Sequence, residues 1–227
     1  MKQKITILYH DDMLAVAIKP AGVLSQPDRT GEDSMTEFLK EQLGNDVFPV
    51  HRLDRAVGGV MVFAMTRTIA GKLSALIGSD SFEKEYLTII HGIPESKQGD
   101  FTDFLYHDAK RNMTSIVSSH EKDAKEARLS YAVLEQNEDS SLVKVRLHTG
   151  RTHQIRVQFA SRHMPIIGDG KYGARDRMNL ALFSHRLSFK HPIKKKRMTF
   201  TAFPDSQMQP WDRFETFLTQ NAERISK

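Results

Sequence analysis

Short runs of apolar or alternating residues recur along this chain of 227 residues and indicate a fold rich in β-strands. Residues 5–18 alternate between apolar and polar side chains and then become mainly apolar, which is typical of two paired strands. Runs rich in β-branched and aromatic residues predict further strands at residues 60–63, 86–91, 129–135, 143–148 and 184–189. The chain must therefore bury at least one face of a sheet.

Three segments between these strands have apolar residues at helical intervals. Ser34 and Glu37 have the spacing of a capping box, and the apolar positions that follow end at Gly44. A second helix is predicted over residues 68–77 and a third over residues 153–162. Helices interspersed among alternating strands indicate an α+β fold with a mixed, mainly antiparallel central sheet. No repeat or linker divides residues 1–227, so we expect a single domain.

Composition excludes several functional classes. The chain has no Cys, so it holds no disulfide, thiol nucleophile or Cys-ligated zinc. Its longest apolar stretches, such as residues 58–65, are far shorter than the ~20 residues that span a bilayer. The N-terminus lacks the apolar core of a signal peptide. We therefore expect a soluble, cytoplasmic protein with no membrane partner.

Basic residues are unevenly distributed, although the formal net charge is only +5. Residues 140–168 and 177–204 contain no acidic residue, whereas Lys and Arg occur throughout both stretches. Such segregation can form a positive face for a polyanion such as a nucleic acid. A solvated surface is the alternative explanation, and charge alone does not decide between them.

One segment combines acid and base in a way that suits catalysis. In His51-Arg52-Leu53-Asp54-Arg55, an Asp lies between two Arg residues just before a predicted buried strand. The neighbouring positive charge favours an ionised carboxylate, which can act as a nucleophile or a general base. A structural Arg–Asp pair is the alternative. Gly58 and Gly59, which follow, permit a close approach of the backbone to another group.

A second polar segment follows a predicted strand. Residues 147–156 have the pattern of a strand, a Gly turn and the start of a helix, whose backbone N–H groups can face an anion. His153 and Arg156 are three residues apart and can meet one partner together. The segment is more polar than we expect of a core helix. His148 and His153 lack a third ligand, so we predict no metal site.

Two further elements have both a structural and a functional interpretation. Tyr86 lies at the start of a predicted strand, where packing is its usual role. The run from His191 to Arg197 forms a basic turn between two Phe residues. That turn is either a solvated surface hairpin or a contact with phosphate.

Together these segments resemble the RluA-type pseudouridine synthases, which are RNA-modifying isomerases. The matching segments occur in family order from about residue 7 to about residue 204, which leaves residues 205–227 as a C-terminal tail. They are Lys19-Pro20-Ala21-Gly22, His51-Arg52-Leu53-Asp54, Lys84-Glu85-Tyr86, Gly150-Arg151-Thr152-His153-Gln154-Ile155-Arg156, Pro165-Ile166-Ile167-Gly168-Asp169 and Tyr172-Gly173.

The resemblance implies a role for each matched residue. Asp54 would be the catalytic aspartate, Arg156 its basic partner, and Tyr86 the side chain that packs against the target base. Arg52 would enter the gap that the flipped uridine leaves. The other predicted RNA contacts are His51, Arg55, Arg151, His153, Lys194, Lys195, Lys196 and Arg197. The implied fold is a mainly antiparallel mixed sheet in two lobes, with the catalytic cleft between them.

The same resemblance implies the partners of the chain. Isomerisation of a uridine in rRNA or tRNA needs no cofactor and no metal, and we expect a monomer without an obligate protein partner. The sequence departs from the family where Val57-Gly58-Gly59 replaces the common Thr-Ser-Gly, because two hydroxyl groups that could hold the catalytic loop are missing. A catalytically inactive RNA-binding protein is therefore the alternative. A hydrolase based on His51 and Asp54 lacks any recognisable nucleophile or metal set.

Overall fold

The computed structural model describes residues 3–226, and the chain divides into two units. The first unit contains Met1–Lys84 and Phe183–Pro204, and the second contains Glu85–Leu182 and Asp205–Lys227. Each unit is therefore assembled from two separate stretches of the chain. This division agrees with the two lobes that the sequence predicts.

Strands outnumber helices, as the sequence predicts. In chain order the strands are β1 (Thr6–His10), β2 (Leu14–Lys19), β3 (Phe48–Pro49), β4 (Gly58–Ala64), β5 (Phe82–His91), β6 (Gln98–Asp108), β7 (Met113–Val117), β8 (Lys125–Gln136), β9 (Ser140–Leu147), β10 (Leu182–Lys190) and β11 (Arg197–Thr201). The helices are α1 (Met35–Leu43), α2 (Arg67–Ser74), α3 (Gln154–Ala160) and α4 (Glu215–Ser226).

The first unit has a mixed sheet with the order β1-β2-β4-β10-β11, and β3 also pairs with β4. All residues of β4 are buried, in agreement with its β-branched and aromatic sequence. Only the β4–β10 pair is parallel among the strand pairs described for this unit. At that pair Gly59 has a φ of 122°, and a Cβ there would lie 2.3 Å from the backbone oxygen of Ser184. Gly59 therefore allows the two strands to approach each other.

The two helices of the first unit begin at capping residues, and α1 ends at the predicted glycine. The Glu37 carboxylate accepts a hydrogen bond from the Ser34 backbone N–H at 2.8 Å, and Gly44 ends α1 in the left-handed conformation. The Thr66 hydroxyl caps α2 by accepting from the Ile69 N–H. Helix α2 ends at Ser74, three residues before the predicted end. Ile69 and Leu73 pack from α2 onto the core between β2, β4 and β10.

The strands of the second unit have the order β5-β9-β8-β6-β7. Helix α3 is buried over almost its whole length, so the expectation that this segment is too polar for a core helix is wrong. Its polar side chains are buried because each has a partner within the unit. Gln154 donates to the Arg128 carbonyl, Arg156 to Asp169, and Gln158 to Asp103.

Several elements were not predicted from sequence. Strands β6, β7 and β11 alternate only weakly, and the predicted tail contains helix α4. Trp211, Phe214 and Leu218 are buried in the second unit, so this part of the predicted tail contributes to its core. Among residues 3–226, no helix is both long and apolar enough to cross a membrane.

Candidate active site

Asp54 lies in the loop between β3 and β4 of the first unit and is partly exposed. The carbonyl of Asp54 accepts a hydrogen bond from the Val57 N–H at 2.9 Å, which closes a tight turn. The preceding residue, Leu53, is buried, and both of its backbone polar groups bond to the Ser25 hydroxyl, at 3.1 Å and 2.8 Å. The loop is therefore fixed immediately before the carboxylate.

The residue after Asp54 is fixed by the turn that begins at Lys19. The Arg55 carbonyl accepts from Lys19 Nζ at 3.0 Å and from the Gly22 N–H at 2.8 Å. The Arg55 side chain donates from Nε to the Gly22 carbonyl and pairs with Glu32. Arg55, predicted to contact RNA, therefore has its guanidinium engaged within the unit.

Lys19 places a buried amine beside the candidate carboxylate. Its side chain is fully buried, and Nζ also donates to the Pro20 carbonyl at 2.9 Å. Burial lowers the pKa of Lys19 to about 7, while the negative charge of Asp54 opposes this decrease. The sequence indicates Lys19 only as part of a turn, because nothing in a linear motif shows that an amine is buried.

His51 is neutral in this environment. Its Nε2 accepts from the Val62 N–H at 3.4 Å, and the ring meets the Phe82 ring edge-on at 5.9 Å. Burial lowers the pKa of His51 to about 3, and the charge of Lys84 adds to this effect. Its Nδ1 is buried without a hydrogen-bond partner among the described residues. The neighbouring Arg52 is exposed.

Arg156 lies in the second unit, where α3 positions it against Asp169. Its Nε and Nη2 donate to the two carboxylate oxygens of Asp169, each at 2.7 Å. The side chains of this pair are 10% and 0% exposed. The guanidinium also lies over the ring of Tyr172, 5.1 Å from the ring centre. Its orientation is thus fixed by a two-pronged ion pair and by stacking.

His153 also contacts Tyr172. His153 is the N-cap residue of α3 and has a φ of 53°, and its Nδ1 lies 2.8 Å from the hydroxyl oxygen of Tyr172. That hydroxyl oxygen also accepts from the Thr114 N–H at 2.9 Å, so Tyr172 is held from two sides. The prediction that His153 and Arg156 share one partner is confirmed, and the partner is Tyr172.

The remaining matched residues of the second unit differ in exposure. Tyr86 lies on β5 and is buried. Arg151 is exposed, and its Nε donates to the Glu126 carbonyl at 2.8 Å. The structure thus places Tyr86, Arg151, His153 and Arg156 in the second unit. His51, Arg52, Asp54 and Arg55 lie in the first.

Two of the four cations in the basic turn are held by acidic partners. Lys194 Nζ lies 2.9 Å from Asp11 Oδ2, and Arg197 Nη1 lies 3.2 Å from Glu83 Oε1. Partial burial raises the pKa of Asp11, but hydrogen bonds, first of all from Lys194, outweigh it and lower that pKa below its usual range. Lys195 and Lys196 are exposed.

Metal binding has no support from the side chains. Within residues 3–226, no group of three or more His, Asp or Glu side chains has the geometry to hold a metal ion.

Comparison with known proteins identifies similar chains over most of the length. A model of the family described as RNA pseudouridylate synthase matches residues 13–161. The tRNA pseudouridine synthase C of Haemophilus influenzae is 33% identical over 90% of this chain and 95% of its own length. An uncharacterized RNA pseudouridine synthase of Aquifex aeolicus is 33% identical over 86% of this chain and 68% of its own length.

Two solved structures share the fold. Human RNA Pseudouridylate Synthase Domain Containing 1 has a TM-score of 0.76 at 20% identity, covering 92% of this chain and 87% of that one. Human RNA Pseudouridylate Synthase Domain Containing 4 has a TM-score of 0.73 at 22% identity, covering 95% and 93%. Both agree with the predicted α+β fold with a mixed sheet.

Proposed function

Because the chain belongs to the RluA-type RNA pseudouridylate synthase family of isomerases, we propose that it converts a uridine in structured RNA to pseudouridine with Asp54 as catalytic residue. Transfer RNA is the first candidate substrate, since several similar chains are named tRNA pseudouridine synthase C. Ribosomal RNA is the other.

The reaction breaks the bond between N1 of uracil and C1′ of ribose, turns the base, and joins C5 to C1′. The proton on C5 is lost and N1 gains one, so the net change is an isomerisation without a redox step. An ionised carboxylate can attack the sugar or the base as a nucleophile, or remove a proton from the ribose. Asp54 is proposed for this role, whichever route it takes.

The observation that carries the proposal is the way Asp54 is held. Its neighbours on both sides, Leu53 and Arg55, have their backbone groups fixed, while the carboxylate itself remains partly exposed. Catalytic groups need such fixed geometry, because a displacement of about 1 Å can lower a rate by about a hundredfold. The buried amine of Lys19 adds positive charge beside the carboxylate.

Arg156 and Tyr86, both in the second unit, are proposed as the other two catalytic residues. Asp169 and the Tyr172 ring determine the plane in which the Arg156 guanidinium lies, which suits a group that must orient an anion. A uridine in a helical stem must first be flipped out, at a cost of a few kcal/mol. Stacking of the flipped base on Tyr86 would offset this cost by about 1–3 kcal/mol.

Contacts with the RNA backbone are proposed to come mainly from the exposed cations. All seven cations among the predicted contacts are exposed, and four of them have no acidic partner among residues 3–226, namely Arg52, Arg151, Lys195 and Lys196. Arg55, Lys194 and Arg197 already have acidic partners, so each would contribute less to binding. His51 is neutral and would contribute no charge.

The alternative, an inactive RNA-binding protein, rests on Val57-Gly58 in place of Thr-Ser. A Cβ at position 58 would lie 3.3 Å from the Lys19 carbonyl oxygen and 3.4 Å from the Ala21 nitrogen. A side chain there would press against the turn that holds Arg55. Close packing against this turn is therefore an explanation of Gly58 that does not require a loss of catalysis.

Release of tritium from RNA labelled at C5 of uridine tests the proposal. RNA from cells that lack the gene is the substrate, because its target uridine is unmodified. The wild-type protein should release tritium, and Asp54→Asn should fall to background while it still binds RNA, since the substitution removes one charge and little volume. A wild-type protein that releases nothing would favour the inactive binder. An active Asp54→Asn would remove Asp54 from the central role.

Transcripts of single tRNAs and of rRNA fragments then identify the substrate. Pseudouridine in a tRNA transcript alone would support the first candidate, and modification of the rRNA fragments alone would replace it.

A further inference from the structure

A single buried hydroxyl satisfies both backbone polar groups of the residue before Asp54. Ser25 Oγ donates to the Leu53 carbonyl at 2.8 Å and accepts from the Leu53 N–H at 3.1 Å. A hydroxyl has one proton and two lone pairs, so it can make both bonds at once. Ser25 is 6% exposed and Leu53 is 8% exposed, so water does not readily replace the hydroxyl.

Ser25 is itself fixed by the start of a helix. Leu24 forms a parallel bridge with Ser34, and its carbonyl accepts from the Met35 N–H at 2.8 Å. Ser34 is the capping residue of α1, so the position of Ser25 is set by a rigid element. Leu24 is thus hydrogen-bonded to the start of α1, and the next residue, Ser25, is hydrogen-bonded to Leu53, the residue before Asp54.

We propose that Ser25 is a positioning residue for Asp54, which acts by holding the Leu53 peptide groups and so fixes where the carboxylate stands. This inference rests on the proposed function, since it assumes that Asp54 carries out the chemistry. Ser25 belongs to none of the matched motifs, and it lies 28 residues before Leu53 in the chain.

The physical reason is the cost of leaving buried groups unpaired. Without the hydroxyl, the Leu53 N–H and carbonyl would both lack partners in a buried site, and the loop would shift to find water. Such a shift moves Asp54 because the two residues share a peptide bond. The loss should fall mainly on the chemical step, because only Arg52 among the four cations proposed as the main RNA contacts adjoins Leu53. The other three are distant from it in the chain, namely Arg151, Lys195 and Lys196.

Ser25→Ala tests the role, with Ser184→Ala as the matched control. Ser184 is equally buried in the first unit, and its hydroxyl donates to the Val60 carbonyl at 3.0 Å, away from the Asp54 loop. Single-turnover tritium release with saturating protein should fall about 10–100-fold in Ser25→Ala. The Kd for RNA should change much less than the rate does. Ser184→Ala should keep the rate when the two variants are compared at equal folded fraction.

Two further measurements separate positioning from general stability. Hydrogen exchange of the Leu53 amide should accelerate at least about tenfold in Ser25→Ala and stay slow in Ser184→Ala. Ser25→Thr retains the hydroxyl, so it should restore both the slow exchange and most of the rate. Because Leu53 exchange needs no substrate, it reports on the loop even if wild type shows no synthase activity.

Two results would overturn the inference while leaving the proposed function intact. One is a Ser25→Ala variant that releases tritium at the wild-type rate. The other is a Ser184→Ala variant that loses as much rate as Ser25→Ala at equal folded fraction. Failure of wild type to release tritium would instead reject the proposed function itself.

Discussion

Removing the charge of Asp169 should destabilise the second unit strongly, because its carboxylate is the partner of a buried arginine. Both side chains of the Arg156–Asp169 pair are almost inaccessible to water, at 10% and 0% exposure. Removal of one partner from a buried ion pair costs about 3–5 kcal/mol. Asn retains one acceptor oxygen at the same place, so we expect Asp169→Asn to cost about 3 kcal/mol, the lower end of that range.

Urea unfolding followed by tryptophan fluorescence measures this loss. Trp211 is the single tryptophan of the chain and is buried in the same unit as the pair, so its emission reports on the relevant core. With a urea m-value of about 3 kcal/mol/M, the upper part of the usual range, the midpoint should fall by about 1 M.

The matched control is the same substitution at an exposed pair. Arg213 Nη1 and Asp139 Oδ1 lie 3.1 Å apart in the second unit, with side-chain exposures of 29% and 65%, so Asp139→Asn should shift the midpoint little. If Asp169→Asn shifts the midpoint no more than Asp139→Asn does, the buried pair does not stabilise the unit, and our account of how Arg156 is held is wrong.

Two further predictions concern charge. Changing Lys195 and Lys196 to Ala should reduce the salt dependence of RNA binding by up to about one unit of log–log slope for each phosphate that the protein no longer neutralises. Changing Lys194 and Arg197 to Ala should reduce this slope less, because both already have acidic partners. Equal slopes for the two double variants would refute this ranking. Burial lowers the pKa of Lys19 to about 7 in the folded chain, whereas the pKa of an unfolded Lys is about 10.4. Between these two pH values the unfolded chain therefore binds a proton on Lys19 that the folded chain does not. Stability should therefore rise with pH across this range, and Lys19→Met, measured by urea unfolding, should lack that rise.

Elements with strong local signals were predictable from sequence. The capping box at Ser34, the glycine that ends α1 and the apolar run of β4 each carry their signal within a few residues, and the structure contains all three. Strands β6 and β7 carry little alternation, since several of their residues are partly exposed on both faces. Helix α4 follows a region that the family motifs do not reach, so the sequence predicts only a tail where three apolar residues are in fact buried.

The sequence yields a candidate site as a set of residues without its internal contacts. The resemblance to the family points to Asp54, Tyr86 and Arg156. It could not show that Asp169, thirteen residues after Arg156, occupies two of the guanidinium donors, or that Tyr172 lies beneath it. The expectation that the α3 segment is too polar for a core helix failed for the same reason, because Gln154, Arg156 and Gln158 each donate to an acceptor within the fold.

At the departure from the family, Val57-Gly58, the loop around Asp54 is held by groups from another segment of the chain. Sequence comparison alone indicates that two hydroxyl groups near Asp54 are missing. In the structure, a hydroxyl and an amine reach the same loop from residues 19–25, through Ser25 and Lys19. Gly58 leaves the room that this arrangement needs, since any Cβ there would press on the Lys19 carbonyl. The glycine and the two donors therefore form one arrangement, and replacing Gly58 by Ser should weaken the hold on Asp54 instead of strengthening it.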